Sequence, residues 1–310
     1  MGNLAQWIML AATLAVVAFF LVRERRKEKE SGYFSGRKPE ASGKPPDDRD
    51  WPGIMERARR EAEALARPAI ALTLTDQPSS EDPHSSVGGR PSLPPGAPWP
   101  LDSGGTPMIF LAQINFGEMP PLEGYPAEGV LSFFVRDNDL NGCRFPSVGN
   151  DGFALLYHES AGGLERRDLP EEGWEFSPLS PRLTQEGRRL TGRPAMGPVS
   201  PNSLGLVHLS DIAFSDAPDD LHEAFYDGLA QAKEAQVYYG GHPDFTQDDF
   251  RRIDDRPSYS EVLLQLGFVY DEAEEIEICW GDAGEACFLI SKEDLAARRF
   301  DRVAYNWDCS

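Results

Sequence analysis

The sequence predicts an α+β protein: two similar halves of mainly antiparallel sheet with helices, arising from an internal duplication and preceded by one transmembrane helix. Three observations predict it. Leu4–Val22 is an apolar run of bilayer-crossing length. Short apolar runs of strand length alternate with Gly- and Pro-rich turns over the rest of the chain. Two of those stretches also match one another at an offset of about 152 residues.

The elements follow in chain order. As a helix, Leu4–Val22 would span about 28 Å, close to the hydrocarbon thickness of a bilayer. Trp7 lies near one end, where an indole suits the interface. Arg23, Arg25, Arg26, Lys27 and Lys29 follow the run. A cleaved signal peptide would need basic residues before the run and a small-residue cleavage site after it. Instead nothing basic precedes Leu4, and the run ends in Phe19, Phe20, Leu21 and Val22. The expectation is therefore a single-pass anchor over residues 1–30, in the bacterial inner membrane, with the C-terminal domain in the cytoplasm. Residues 31–50, rich in Gly, Pro, Ser and charge, read as a flexible linker.

Residues 51–310 read as the folded domain. Ile54, Ala58, Ala62 and Leu65 give helical spacing up to Arg67, with Pro52 at the start. Strands are predicted at Ala69–Leu74, Met108–Phe116, Val130–Val135 and Phe153–His158. Residues 161–203 contain six prolines and several glycines and read as an irregular connector. Asp219–Glu234 has an apolar helical stripe of Leu221, Phe225 and Leu229. Further strands are predicted at Val237–Tyr239, Val262–Val269, Glu275–Trp280 and Ala286–Ser291, with a short helix over Glu293–Arg299.

The duplication rests on spacing. Gln113 lies 24 residues after Gly89 and Gln265 lies 24 after Gly241, in a chain with eight glutamines. Leu111, Ile114 and Phe116 match Leu263, Leu266 and Phe268. Gly129 precedes Phe133, Val135, Asp139 and Leu140 by the intervals that separate Gly284 from Phe288, Ile290, Asp294 and Leu295. The repeats are placed at about 54–160 and about 204–310. Two such units packed on each other would bury their sheets and leave a cleft between them.

Composition narrows the function. The chain has 310 residues, 51 acidic and 30 basic, for a formal charge of −21. That surplus argues against nucleic acid, whose phosphates require Lys and Arg. Cys143, Cys279, Cys287 and Cys309 form no Cys-x-x-Cys pair and read as packed thiols, so neither a metal nor a cofactor is expected.

A family resemblance appears over the same residues. Val87-Gly88-Gly89-x-Pro91-x-Leu93-Pro94-x-Gly96-x-x-Trp99-Pro100 and Pro107-Met108-Ile109-Phe110-Leu111-Ala112-Gln113-Ile114-Asn115 resemble the opening of the YwqG-like family of bacterial proteins. Gly240-Gly241-His242-Pro243, Leu263-Leu264-Gln265-Leu266 and Trp280-Gly281-Asp282-x-Gly284 continue the resemblance. It runs from about Ile54 to Ser310. It implies an α+β domain of unknown biochemical role, with an immunity or accessory role hinted by relatives near secreted-toxin systems, and it implies no enzyme activity.

Candidate site residues carry two readings each. Gly88, Gly89, Gly240 and Gly241 suit either an anion cradle of backbone N–H groups or tight turns at positive φ. Gln113 and Gln265 suit either a ligand or a neighbouring loop in need of a buried amide. His242, Asp244, Asp248 and Asp249 suit a cation, a general base or a solvated loop. Asp282 suits a site or a turn cap. The acidic run Asp271–Glu277 suits a basic partner or a solvated hairpin. No Gly-x-Ser-x-Gly or phosphate-loop pattern occurs. The expectation is a non-catalytic module that binds a protein or peptide, besides the membrane through Leu4–Val22. The alternative is a hydrolase or ligand-modifying enzyme with its site in the cleft between the halves.

Overall fold

The computed structural model describes residues 50–78, 83–200, 224–225, 227–229 and 233–309. Helix α1 (Trp51–Ala64) comes first. The Asp50 side chain accepts the Gly53 amide at 3.1 Å, and Pro52 stands in the first turn, where an N–H would have no partner. Met55, Ala58 and Ala62 form its apolar stripe and pack with Val199, Phe225 and Leu229.

Fourteen strands are described: β1 (Arg67–Leu74), β2 (Ser86–Val87), β3 (Ser92–Leu93), β4 (Ile109–Asn115), β5 (Val130–Val135), β6 (Phe153–His158), β7 (Glu165–Arg166), β8 (Arg188–Gly197), β9 (Val237–Gly240), β10 (Glu261–Leu266), β11 (Val269–Asp271), β12 (Ile276–Ile278), β13 (Glu285–Ile290) and β14 (Ala304–Asp308). Ten form one sheet in the order β14-β13-β10-β9-β1-β8-β2-β4-β5-β6. Every pairing within it is antiparallel. Its edges approach each other: Val148 bridges Ala304, and the Phe153 ring of β6 lies 5.4 Å from that of Tyr305 in β14. The result is a nearly closed, barrel-like sheet. Three short helices, α2 (Pro181–Glu186), α3 (Phe250–Ile253) and α4 (Lys292–Ala296), lie between its strands in sequence.

This corrects the α+β expectation of two packed halves. The chain from Arg67 pairs with β8 along all eight residues of β1, and this pair joins both arms into one sheet. What the arms share is a register within that sheet. Gln113 stands opposite Ser86 and Ser132, and Gln265 stands opposite Tyr238 and Cys287. The register shifts between Phe110 and Ala112 in β4, and between Val262 and Leu264 in β10. Each shift sets two consecutive residues, Leu111–Ala112 or Leu263–Leu264, into the main core.

β8 is also a correction, since it falls inside the segment expected to be irregular. Pro194 is tolerated because β2 covers only the Arg188 and Arg189 end of β8, so at Pro194 one side of the strand is an edge.

The membrane assignment is corrected too. Among the described residues no helix is long and apolar enough to cross a membrane, so a single-pass inner-membrane protein is not supported. The run Leu4–Val22 and the 31–50 linker, except Asp50, lie outside the described residues, as does most of Asp219–Glu234.

The main core draws on nearly every long strand, with Ile70, Leu111, Phe133, Leu264, Phe288 and Tyr305 among its members. The opposite face of the sheet is also covered. Phe110 and Phe134 pack beneath Trp99 and Trp174 on one arm, and Val262 and Leu289 pack with Phe245 and Phe250 on the other. Burial on both faces explains why β4, β5 and β13 are buried at every position and lack a polar alternation.

Candidate functional site

The two Gly-Gly turns are built for backbone fit. Gly88 has φ +63°, and a Cβ there would lie 2.1 Å from the Leu183 carbonyl oxygen. The Gly88 amide donates to Leu111, the Gly89 amide to Leu183 and Thr184, and the Gly241 amide to Pro68. Gly240 has φ +73° and pairs with Ala69. With those amides bonded to carbonyls, the turns present no ready cradle for an anion.

The glutamines clamp the chain three residues past those turns. Gln113 accepts the Ser92 amide at 2.8 Å through Oε1 and donates Nε2 to the His84 carbonyl. Gln265 accepts the Asp244 amide at 3.3 Å and donates to the Asp244 carbonyl at 3.1 Å. Its Nε2 also reaches Glu285 Oε2 at 2.9 Å, which ties the clamp to a charged cluster.

That cluster forms one wall of a cavity of about 340 Å³ at the junction of β1, β8, β9 and β13. Apolar walls come from Ala69, Ala71, Ala195, Val199 and Leu229, with half-exposed Met196 and Phe268 among the lining residues. Lys233 donates to Asp244 Oδ2 at 2.6 Å and to Glu285 Oε2 at 3.2 Å, with its Nζ 5.8 Å from the centre of the Tyr238 ring. Ser200 donates to Asp244 Oδ1. Burial works against the charge on Lys233, but Asp244 and Glu285 outweigh it and raise the lysine pKa. Burial, with Asp244 adding repulsion, pushes Glu285 up to about 7. Asp308, paired opposite Glu285 across β13 and β14, is pushed up to about 6, again chiefly by burial. Lys233 thus bridges both carboxyl groups, and burial favours the protonated form of Glu285.

A second cavity of about 360 Å³ adjoins the first through Glu234, Ala235 and Gln236. Phe268 lines the first and Tyr270 the second. Their rings are parallel within 8° at 6.5 Å, and Tyr270 is 60% exposed.

The sequence candidates divide around this site. Gln265, His242 and Asp244 meet at or beside the first cavity. His242 is bonded to the Leu65 carbonyl, and burial lowers its pKa, so it stands there neutral. Gln113, Gly88 and Gly89 belong to the other arm and serve its packing. Asp249 forks onto Arg251 with bonds of 2.9 and 2.6 Å, Asp248 is exposed, and Asp282 lies exposed in the turn before β13. Among the described residues no group of three or more His, Cys, Asp or Glu is placed to hold a metal ion.

Lys233, Glu285 and Ser200 were not among the sequence candidates. A signal for Glu285 did exist. The residue after the repeat glycine is Val130 in one arm and Glu285 in the other, and the residue three past the Gly-Gly turn is Ser92 in one and Asp244 in the other. Charge in only one copy of a repeat marks the copy that has diverged in chemistry.

The comparison with curated proteins finds no match. A family model described as a domain of unknown function, DUF1963, matches residues 85–309, which takes in every strand but β1 and the cavity lining apart from Ala69 and Ala71. The chain belongs to this DUF1963 family.

Proposed function

We propose that the chain is a non-catalytic recognition module that takes a protein or peptide segment along the two adjoining cavities. Within its family we place it beside the YwqG-like proteins, on the strength of the Gly-Gly and glutamine motifs quoted above. The observation that carries the functional reading is the pair of cavities sharing residues 234–236, with stacked Phe268 and Tyr270 lining one each. Exposed aromatic pairs beside concave apolar surface suit a protein partner, because they add contact area at low entropic cost. Met196, half exposed beside Phe268, adds an adaptable apolar contact.

The test is a short-peptide array probed with the full chain and with Ala195→Trp, whose indole would fill the first cavity. The expected result is a set of bound peptides lost in the variant at an unchanged denaturation midpoint. Binding that survives Ala195→Trp would move the site elsewhere. A second reading is favoured by Glu285: a carboxyl titrating near neutrality on a cavity wall suits proton transfer in a ligand-modifying enzyme. Turnover of a bound ligand that Glu285→Gln abolishes would select this second reading over the first.

A further inference from the structure

Strand β9 lies between β1 and β10, but β1 outruns it. Their pairing stops at Leu72 opposite Val237, while β1 runs on to Leu74. On the other side Gln236 still accepts the Gly267 amide at 2.8 Å, and the chain continues from there into β11. Beyond Val237 the second cavity takes the place of the strand. Residues 72–76 line one side of it and residues 269–271 the other.

The backbone turns hydrogen-bonding groups toward that slot. Successive residues of a strand point their amide and carbonyl to opposite sides. In β1 the Pro68 carbonyl takes the Gly241 amide on the β9 side, and the Thr75 amide goes to Arg189 of β8. Even-numbered residues of β1 therefore face the β9 side, and Leu74 is the one that lies past the end of β9. In β11, Tyr270 stands opposite Glu277. The Glu277 amide donates to Ser180 Oγ at 3.2 Å, and its carbonyl accepts the Ser180 amide at 2.9 Å. Glu277 thus faces away from β11, so Tyr270 also points its own amide and carbonyl away from β12. On those sides neither Leu74 nor Tyr270 bonds to any described residue. Two strand edges with open backbone groups are a template for pairing.

Resting on the peptide reading above, we infer that the second cavity takes a basic, extended segment of the partner as an added strand in line with β9, bonded to Leu74 on one side and Tyr270 on the other. β1 and β10 stand two strand spacings apart, roughly 9–10 Å, so the slot that continues between β1 and β11 admits one strand. In this mode main-chain bonds supply the affinity and side chains the choice of sequence. Charge gives that choice. Asp76, Glu234, Asp271 and Glu274 line the cavity against Arg188, whose guanidinium is already shared between Glu186 at 3.3 Å and Glu274 at 3.5 Å.

The experiment uses the full chain and the peptides that bind in the array, with affinities read by fluorescence anisotropy. Each peptide is compared with a copy N-methylated at its central amides and a copy with glutamate in place of lysine or arginine. The expected result is a set of basic peptides whose binding weakens at least about tenfold in both copies. Tyr270→Pro should bind more weakly than Tyr270→Val, because both lack the ring and only proline lacks the amide. The changes on the peptide side leave the protein untouched, so the test stands even if the proline variant folds poorly. Peptides that bind equally well when N-methylated, or that show no preference for basic residues, would overturn this inference and leave the recognition reading in place. No binding by any peptide would overturn both. Amide exchange is the remaining arm. The Leu74 and Tyr270 amides should exchange quickly without peptide and slowly with it. Slow exchange without peptide would give the slot to the chain's own residues in a monomer, or to a second copy in a dimer, and the partner strand would be wrong.

Discussion

Gln113 and Gln265 hold equivalent places in the sheet and face different surroundings. Gln113 ties two backbone groups, at Ser92 and His84, under a covered face of the first arm. Gln113→Ala would leave both unpaired, and a denaturation midpoint should register a loss of about 1–3 kcal/mol. Gln265 bonds to Asp244 and to Glu285, so the same residue type borders a cavity in the second arm. Glu285 itself gives a pH signature. Its pKa stands at about 7 in the fold against 4.5 for a free glutamate, so between those values the folded chain holds a proton that the unfolded chain releases. Stability from this group is therefore greatest below that window and falls as pH rises through it. Glu285→Gln removes the titration, so the stability of the variant relative to the native chain should rise by on the order of 2 kcal/mol between about pH 5 and about pH 8. Denaturant midpoints of both proteins at the two pH values check it, and a difference independent of pH would show that Glu285 titrates normally. Little of this was legible in the sequence. A glutamine on a run buried on both faces gives no sign of its direction, and the meeting of Lys233 with Glu285 depends on a sheet in which β10 lies between β9 and β13.

At the scale of elements, the turns and most strands were legible, and β8, in the sheet's middle, was not. The limits of Val130–Val135 and Phe153–His158 can be read directly from apolar runs ended by Gly and charge. β8 is different: its two glycines and Pro194 remove the alternation that marks a strand, and they are tolerated because beyond Arg189 only β1 pairs with it. The Gly-Gly turns separate steric demand from simple flexibility. Gly88→Ala places a Cβ against the Leu183 carbonyl at positive φ and should cost more than about 2 kcal/mol. Gly96→Ala has φ +73° with nothing within 4 Å and should cost about 1 kcal/mol. Equal costs for the two, measured by chemical denaturation, would mean that Gly88 matters only for its φ.

For the molecule as a whole, the repeat spacing pointed to two units, yet the chain joins the arms through the β1–β8 pair. Sequence similarity at a fixed offset reports matching registers. It does not report whether the matched pieces close separate cores, because that depends on which strand fills the middle. One shared core predicts one unfolding transition for residues 50–309. Trp99 and Trp174 report on one arm and Trp280 and Trp307 on the other, so their fluorescence changes in single-arm tryptophan variants should coincide in denaturant. Two separated midpoints would restore the picture of independent halves. The same architecture gives one arm an exposed pair of cavities with a charged wall, while Trp99 and Trp174 cover the corresponding face of the other. The most direct measurement of that asymmetry is amide hydrogen exchange on the full chain with and without a peptide that binds in the array. The account predicts protection over residues 195–200, 233–245 and 283–285, with residues 86–140 unchanged. Protection confined to residues 86–140, or spread evenly over both arms, would contradict it.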